Sequence, residues 1–190
     1  MENNGWDKVS LAQYIELIGI LSGSENLSEE EMDDITINVV SILENVDSDT
    51  IRNMSYDDYI KVNHNVGFIN TPIPTEYKTV LDINGTELHL IPFNTLEFGA
   101  FIDIEHYLTS EVTYISNLPK ILSILYRQEV KPATALNAAV YETYDGWVDV
   151  RDVLMDKVSI TSLYGVIEKF KIIKRIEKIE GLVIYDLFET

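Results

Sequence analysis

The side chains able to do chemistry are few and scattered along the chain. His64, His89 and His106 fall in three different predicted elements. None has another histidine or an acid at a recognised metal-ligand spacing, so no zinc or iron centre is expected. Each histidine reads as a surface or hydrogen-bonded residue, and His106 has Asp103 three residues before it as a pairing partner on the same helical strip. With no cysteine in the chain, disulfides, thiol nucleophiles and thiolate metal sites are excluded. Asp47-Ser-Asp49 begins like a calcium loop but lacks the glycine at the sixth position and the glutamate at the twelfth. The nine glycines are dispersed, and none precedes Lys-Ser or Lys-Thr, so no phosphate-binding loop is present. The 32 carboxylates supply raw material for a glycosidase-like acid pair, yet solvated helices carry the same residues. The expectation is a non-enzymatic protein with no catalytic residue, metal ligand or cofactor.

Composition bounds the class. A chain of 190 residues with 46% apolar side chains can build one sizeable core or two small ones, and reads as globular. No apolar run approaches the roughly 20 residues that cross a bilayer, and MENNGWDK lacks the basic start and apolar stretch of a secretory signal. The chain is therefore expected to stay in the cytoplasm where it is made. Its net charge of −18 is uneven: Met1 to Ile60 holds 14 acidic and 2 basic residues, Lys61 to Val148 holds 10 and 5, and Asp149 to Thr190 holds 8 and 7. A field of that sign repels phosphate backbones and anionic membrane surfaces, which argues against direct nucleic-acid or membrane partners.

The elements follow from pattern. Ser10 caps a first helix, SLAQYIELIGIL, whose Leu11, Tyr14, Ile15, Ile18 and Leu21 recur at helical spacing. Ser28 and Glu31 form a capping box, with Glu29, Glu30 and Glu31 at the positive end of the helix dipole. Ile35, Val39, Ile42, Leu43 and Val46 supply the buried stripe of that helix. A third helix starts at Ser55, and the prolines of NTPIP stop it. EYKTVLDI and TELHLIP then alternate around Asn84-Gly85, the pair that a type I′ hairpin turn demands.

LEFGAFIDIEHY follows the hairpin at once. Asn94 and Glu97 have capping-box spacing, and Phe93 and Phe98 that of a hydrophobic staple. Phe98, Ala100, Phe101, Ile102, Ile104, Tyr107 and Leu108 spread over a wide arc, predicting a largely buried helix whose narrow polar strip holds Gly99, Asp103, His106 and Ser110. Glu105 falls inside the apolar arc and calls for a partner, with Lys120 and Arg127 as candidates. Asn117 caps a further helix over NLPKILSILYRQEV, with Pro119 in its first turn. PATALNAAVYETYDGW reads as a loop or short helix packed by Tyr141, Tyr144 and Trp147, followed by a helix near Val150 to Met155. The longest predicted helix, Ser159 to Ile179, sets Leu163, Val166, Ile167, Phe170, Ile173, Ile176 and Ile179 against a basic face. Gly181 ends it, and LVIYDLF reads as an apolar strand or docking tail.

The fold class expected is mainly α with one β-hairpin (α+β), an acidic helical arm over 1–70 and a hairpin-on-helices body over 71–190, two segments able to share one core. Within it, LDINGTELHLIPFNTLEFGAFIDIEHYLTSEVTYISNLPKILSILYRQEV, from Leu81 to Val130, resembles a segment of small tail-assembly proteins of tailed bacteriophages, including the tail-assembly chaperone and baseplate-hub assembly groups. The matching features are the Asn-Gly hairpin, a Thr-plus-aromatic helix start followed by FIDIE, then NLPKIL and an aliphatic run ending in Tyr-Arg. VSITSLYGVIEKF, from Val158 to Phe170, is similar to the helix that ends such proteins. The resemblance implies protein–protein binding as a chaperone or structural adaptor, with phage tail, baseplate or head–tail junction proteins as partners, in the host cytoplasm or the virion. The residues expected to touch a partner are Lys171, Lys174, Arg175 and Lys178 on the basic face, and Ile184, Leu187 and Phe188 in the apolar tail. The alternative is an acidic DNA mimic that inhibits a host nucleic-acid enzyme.

Overall fold

Four short polar side chains open the helices of the amino-terminal part. In the computed structural model, which describes residues 5–22, 27–92, 95–109, 115–135, 137–144 and 157–169, Ser10, Ser28, Asp47 and Ser55 each accept a hydrogen bond from a backbone N–H in the first turn that follows. Such caps satisfy amide groups that have no partner inside the helix and typically contribute about 1 kcal/mol each. The helices they open are α1 (Leu11–Leu21), α2 (Glu29–Glu44), α3 (Ser48–Asn53) and α4 (Tyr56–Val66). The Ser28–Glu31 capping box forms as expected, and Ser10 forms a second one with Gln13. Helix α3 lies where periodicity offers no signal, since six residues are too few to show a stripe. Its cap is Asp47, the residue that gave the segment its calcium-loop appearance.

The described residues fall into two compact units, one drawn from Met1–Glu76 and Ser159–Thr190, the other from Tyr77–Val158. In the first, Val40, Ile51 and Val66 form a core with Ile37, Leu43, Val46, Met54, Tyr59 and Val62 packed around it. Helix α1 lies against α2, and Gln13 Nε2 donates to the Ile42 carbonyl at 2.7 Å. The start of the chain is clasped to the end of α4: Trp6 is buried, its indole N–H donates to Thr71 O at 2.9 Å, and its ring meets Phe68 edge-on at 5.3 Å. Gly5 permits this closure, because a Cβ there would lie 2.1 Å from the Phe68 ring.

The helix Ile160–Lys169, here α7, belongs to this first unit. A division at residue 70 places it with the second segment instead. An antiparallel bridge joins Ser10 to Ser159, and the Ile160 N–H donates to Val9 O at 2.8 Å. Ile160, Leu163, Val166 and Ile167 are buried. The predicted continuation from Phe170 to Ile179, the LVIYDLF segment and the helix near Val150 to Met155 lie outside the described residues.

In the second unit the Asn84-Gly85 turn forms with φ of 55° and 82°, and it joins β1 (Val80–Ile83) to β2 (Thr86–Leu90). Leu81 pairs with Leu88 and Ile83 with Thr86, so that Leu81, Ile83 and Leu88 are all buried while Asp82 and Glu87 are exposed. A hairpin alone is marginal in water, and two elements support it. Helix α6 (Leu118–Leu125) buries Leu118, Ile121, Leu122, Ile124 and Leu125. The chain then turns at once into β3 (Tyr126–Arg127), which pairs Leu90 with Tyr126 and His89 with Arg127. The predicted continuation of α6 through Tyr-Arg to Val130 is therefore replaced by strand. The reason is the open edge of β2, which offers Tyr126 and Arg127 ladder hydrogen bonds while the Tyr126 hydroxyl donates to Lys78 O at 2.6 Å. A separate two-stranded sheet, β4 (Glu129–Lys131) with β5 (Val140–Tyr141), occupies part of the segment expected as loop or short helix. The class is mainly α with an antiparallel hairpin, an α+β fold, and the hairpin is widened to three strands.

Candidate functional site

Among the described residues, large apolar side chains are exposed at Tyr56 and Ile60 on α4, at Val80, Val130 and Val140 in the strands, and three times on α5 (Phe98–Thr109). Its expected burial fails at three positions: Phe98 is 79% exposed, Phe101 39% and Ile102 46%, while Ala100 and Ile104 are buried. The helix lies against α6, and the side it buries is that of Ala100 and Ile104. An apolar arc wider than one helix–helix contact covers leaves the remainder outward. Glu105 is exposed too, so the burial that would demand an ionic partner does not arise.

Of the polar strip expected to face outward, His106 is exposed, while Gly99 and Asp103 are met by Tyr144. The Tyr144 hydroxyl donates to Asp103 Oδ2, and a Cβ built on Gly99 would touch the Tyr144 ring at 3.8 Å. Asp103 is half-buried. Burial, together with the bond to Asp103, pushes the Tyr144 phenol well above its ordinary value.

Arg127 anchors this arrangement. It is 2% exposed, and a buried arginine stays charged, so it needs a carboxylate and hydrogen-bond acceptors. Its Nε donates to Ile124 O at 3.0 Å, and Nη1 reaches both oxygens of Glu97 at 2.9 and 2.8 Å and Glu142 O at 3.0 Å. The guanidinium also lies 5.3 Å from the Tyr144 ring centre. Glu97 Oε1 accepts in addition from the Tyr144 N–H at 3.1 Å. Partial burial by itself pushes the Glu97 carboxyl up. The Tyr144 N–H, its own backbone N–H and the Arg127 guanidinium together overcome that and hold it below the usual carboxylate range.

Glu97 gives its carboxylate to Arg127 and to the Tyr144 N–H. It stands immediately before α5, and its carbonyl accepts from the Phe101 N–H at 3.1 Å. Phe93 and Asn94, the other members of the expected staple and box, lie outside the described residues. Asn117 also departs from its expected capping role: its side-chain amide donates to Tyr107 O at 3.3 Å and makes no cap. Arg127 Nη2 is buried with no hydrogen-bond partner among the described residues. One fully engaged nitrogen beside an unsatisfied one marks an ion pair whose net stabilisation is small although its disruption is costly.

The three histidines do not converge. His64 lies on α4 and is exposed; His89 is on β2, its Nε2 3.9 Å from Glu87 Oε2 and its ring 6.3 Å from that of Tyr141; His106 on α5 meets the Tyr107 ring at 5.8 Å. Lys120 sits over that same Tyr107 ring, with Nζ 5.5 Å from its centre. Among the described residues no group of three or more histidines and carboxylates is placed to hold a metal ion. No helix among them is long and apolar enough to cross a membrane.

The expected partner-binding residues Lys171, Lys174, Arg175, Lys178, Ile184, Leu187 and Phe188 all lie outside the described residues. The outward face of α5 is a candidate that periodicity alone assigns to the core. Its signal in the sequence is the width of the arc, seven apolar positions in a helix of 12 residues, more than one packing face accommodates. Comparison with protein-family models, with curated proteins and with solved structures returns no match.

Proposed function

We propose that this chain is a non-enzymatic assembly protein of a tailed bacteriophage, acting as a chaperone or structural adaptor that binds a tail or baseplate component. The observation that carries the protein-binding part is the aromatic, outward face of α5 on a chain of net charge −18. Strong charge keeps such a chain dispersed, while an exposed apolar patch offers a partner area to bury. The assignment to phage assembly rests on the resemblance of Leu81 to Val130, which includes the hairpin, α5 and α6.

The acids of the amino-terminal third weigh against the DNA-mimic alternative, because helix starts account for many of them. Glu29, Glu30 and Glu31 occupy the first turn of α2, Asp47 caps α3, and Asp57 and Asp58 lie in the first turn of α4. Asp34 pairs with Arg52 at 2.7 Å. Co-expression with the tail and baseplate proteins of a phage encoding the chain, followed by affinity purification, tests the proposal. Recovery of a tail component supports it; recovery of a host nuclease or polymerase with no tail component overturns it.

A further inference from the structure

We infer that residues 142–144 form a latch held on the start of α5 by the Glu97 carboxylate, and that this latch opens as a unit, with the three-stranded sheet still folded, when that carboxylate takes up a proton. This holds whatever the chain binds. None of the described residues from 137 to 144 is buried, whereas Tyr126 and Arg127 of β3 and Leu122, Ile124 and Leu125 of α6 are. A segment with little apolar burial depends on its hydrogen bonds, and such segments open at a lower free-energy cost than a packed core. On one side the Glu142 N–H donates to Gln128 O at 3.0 Å, and the Gln128 N–H donates to Glu142 Oε2 at 3.2 Å. Towards α5, the Tyr144 N–H donates to Glu97 Oε1 at 3.1 Å and the Tyr144 hydroxyl to Asp103 Oδ2, while Arg127 Nη1 donates to Glu142 O at 3.0 Å.

Glu97 closes the latch twice. It accepts the Tyr144 N–H directly, and it holds the same Arg127 Nη1 that reaches the Glu142 carbonyl. Bonds to an ionised group are roughly twice as strong as neutral ones, so a proton on Glu97 weakens the first contact and leaves the Arg127 charge of the second without its carboxylate. The groups facing Glu97 are Arg127 from β3 and the backbone N–H groups of Tyr144 and of Glu97 itself. Around the Tyr144 phenol stand Asp103 and Tyr107 of α5 and Arg127, and Lys120 of α6 lies over the Tyr107 ring. Because the Glu97 carboxyl is held below the usual carboxylate range, the latch is tightest above about pH 5 and loosens as pH falls through the folded value. Release uncovers Gly99 and Asp103, which share a side of α5 with exposed Ile102 at i, i+4 and i+3, and so widens the open side of that helix.

Amide hydrogen exchange of the full chain, corrected for the intrinsic rate at each pH, tests this. The Glu142 and Tyr144 amides are expected to exchange together, at least about tenfold faster than those of Leu90 and Ile91, which donate to Thr79 O and Leu125 O within the sheet and its support. Low urea should leave the latch amides unaffected while it accelerates the sheet amides, because only the larger opening exposes much surface. Between pH 7 and about pH 4 the protection of Tyr144 should fall at least about tenfold. In Glu97→Gln that protection is expected to be low already at pH 7 and nearly independent of pH, whereas Tyr144→Phe lowers it at every pH and keeps the pH dependence. Equal protection and equal urea dependence of Tyr144 and Ile91 overturn the latch, since the segment then opens only with the whole unit. Protection of Tyr144 that does not change with pH in the wild type overturns the role of Glu97, a result that needs no variant to fold. Loss of the pH dependence in Tyr144→Phe also overturns that role, and assigns it to Asp103.

Discussion

Helices α1 and α5 are 11 and 12 residues long and both mostly apolar, yet they meet different surroundings. Helix α1 buries Leu11, Tyr14, Leu17, Ile18 and Leu21, packed on α2 with α7 running from its amino-terminal flank. Helix α5 buries Ala100 and Ile104 and leaves Phe98, Phe101 and Ile102 outward. Apolar content is thus a statement about what a helix can bury. The neighbours available on each side decide what it does bury.

The largest expected effect lies on α1. Leu17→Ala removes a side chain that is 1% exposed and is expected to cost about 3 kcal/mol through lost transfer energy and the residual cavity, read from urea unfolding followed by circular dichroism. A loss below about 1 kcal/mol would show that α1 is packed no better than α5 and would break the contrast.

Next comes the polar anchor beside α5. Glu97→Ala strands the Arg127 charge in a buried position and is expected to cost about 2–3 kcal/mol. Arg127→Met leaves a Glu97 carboxylate that is 40% exposed and can hydrate, so its cost is expected to be smaller. The double variant should be more stable than Glu97→Ala alone, and a double-mutant cycle measures the coupling. Additive losses would mean that the two side chains do not form a pair in solution.

The pH dependence should carry the same signature at lower amplitude. Because the folded-state pKa of Glu97 is depressed, its stabilising contribution is complete above the unfolded carboxylate range, at about pH 5 and higher, and is lost as pH falls through the folded value. Glu97→Ala is expected to flatten that acid limb. On the alkaline side, burial raises the Tyr126 phenol, and burial with the Asp103 bond raises Tyr144. Their contribution is therefore present below the unfolded value of about pH 10 and lost as pH rises through the folded values. An unaltered alkaline limb in the double Tyr126→Phe, Tyr144→Phe variant would contradict this.

The smallest expected effect sharpens the comparison most. Phe98→Ala deletes an aromatic ring that is mostly in solvent and is expected to change stability by no more than about 0.5 kcal/mol in the same urea experiment. A loss matching that of Leu17→Ala would place Phe98 in a core and remove the face.

The elements legible in the sequence are those built from neighbours along the chain. Ser28 and Glu31 are three residues apart, and their capping box forms. Asn84 and Gly85 are adjacent, and the pair takes the two positive φ angles of the hairpin turn. Ile121, Leu122, Ile124 and Leu125 repeat at helical spacing and are buried. Local patterning therefore determined the caps, the hairpin register, the helical class and the acidic character.

Tertiary structure decided what depends on distant partners. Tyr126 and Arg127 leave the helix for a strand because β2 offers an edge; Arg127 finds Glu97 rather than Glu105; Ser159 meets Ser10 from the far end of the described chain. The direction of the α5 arc belongs to this second group. A helical wheel ranks which positions lie together but contains no term for the neighbour they face, and a core of limited size leaves the rest of a wide apolar arc in solvent.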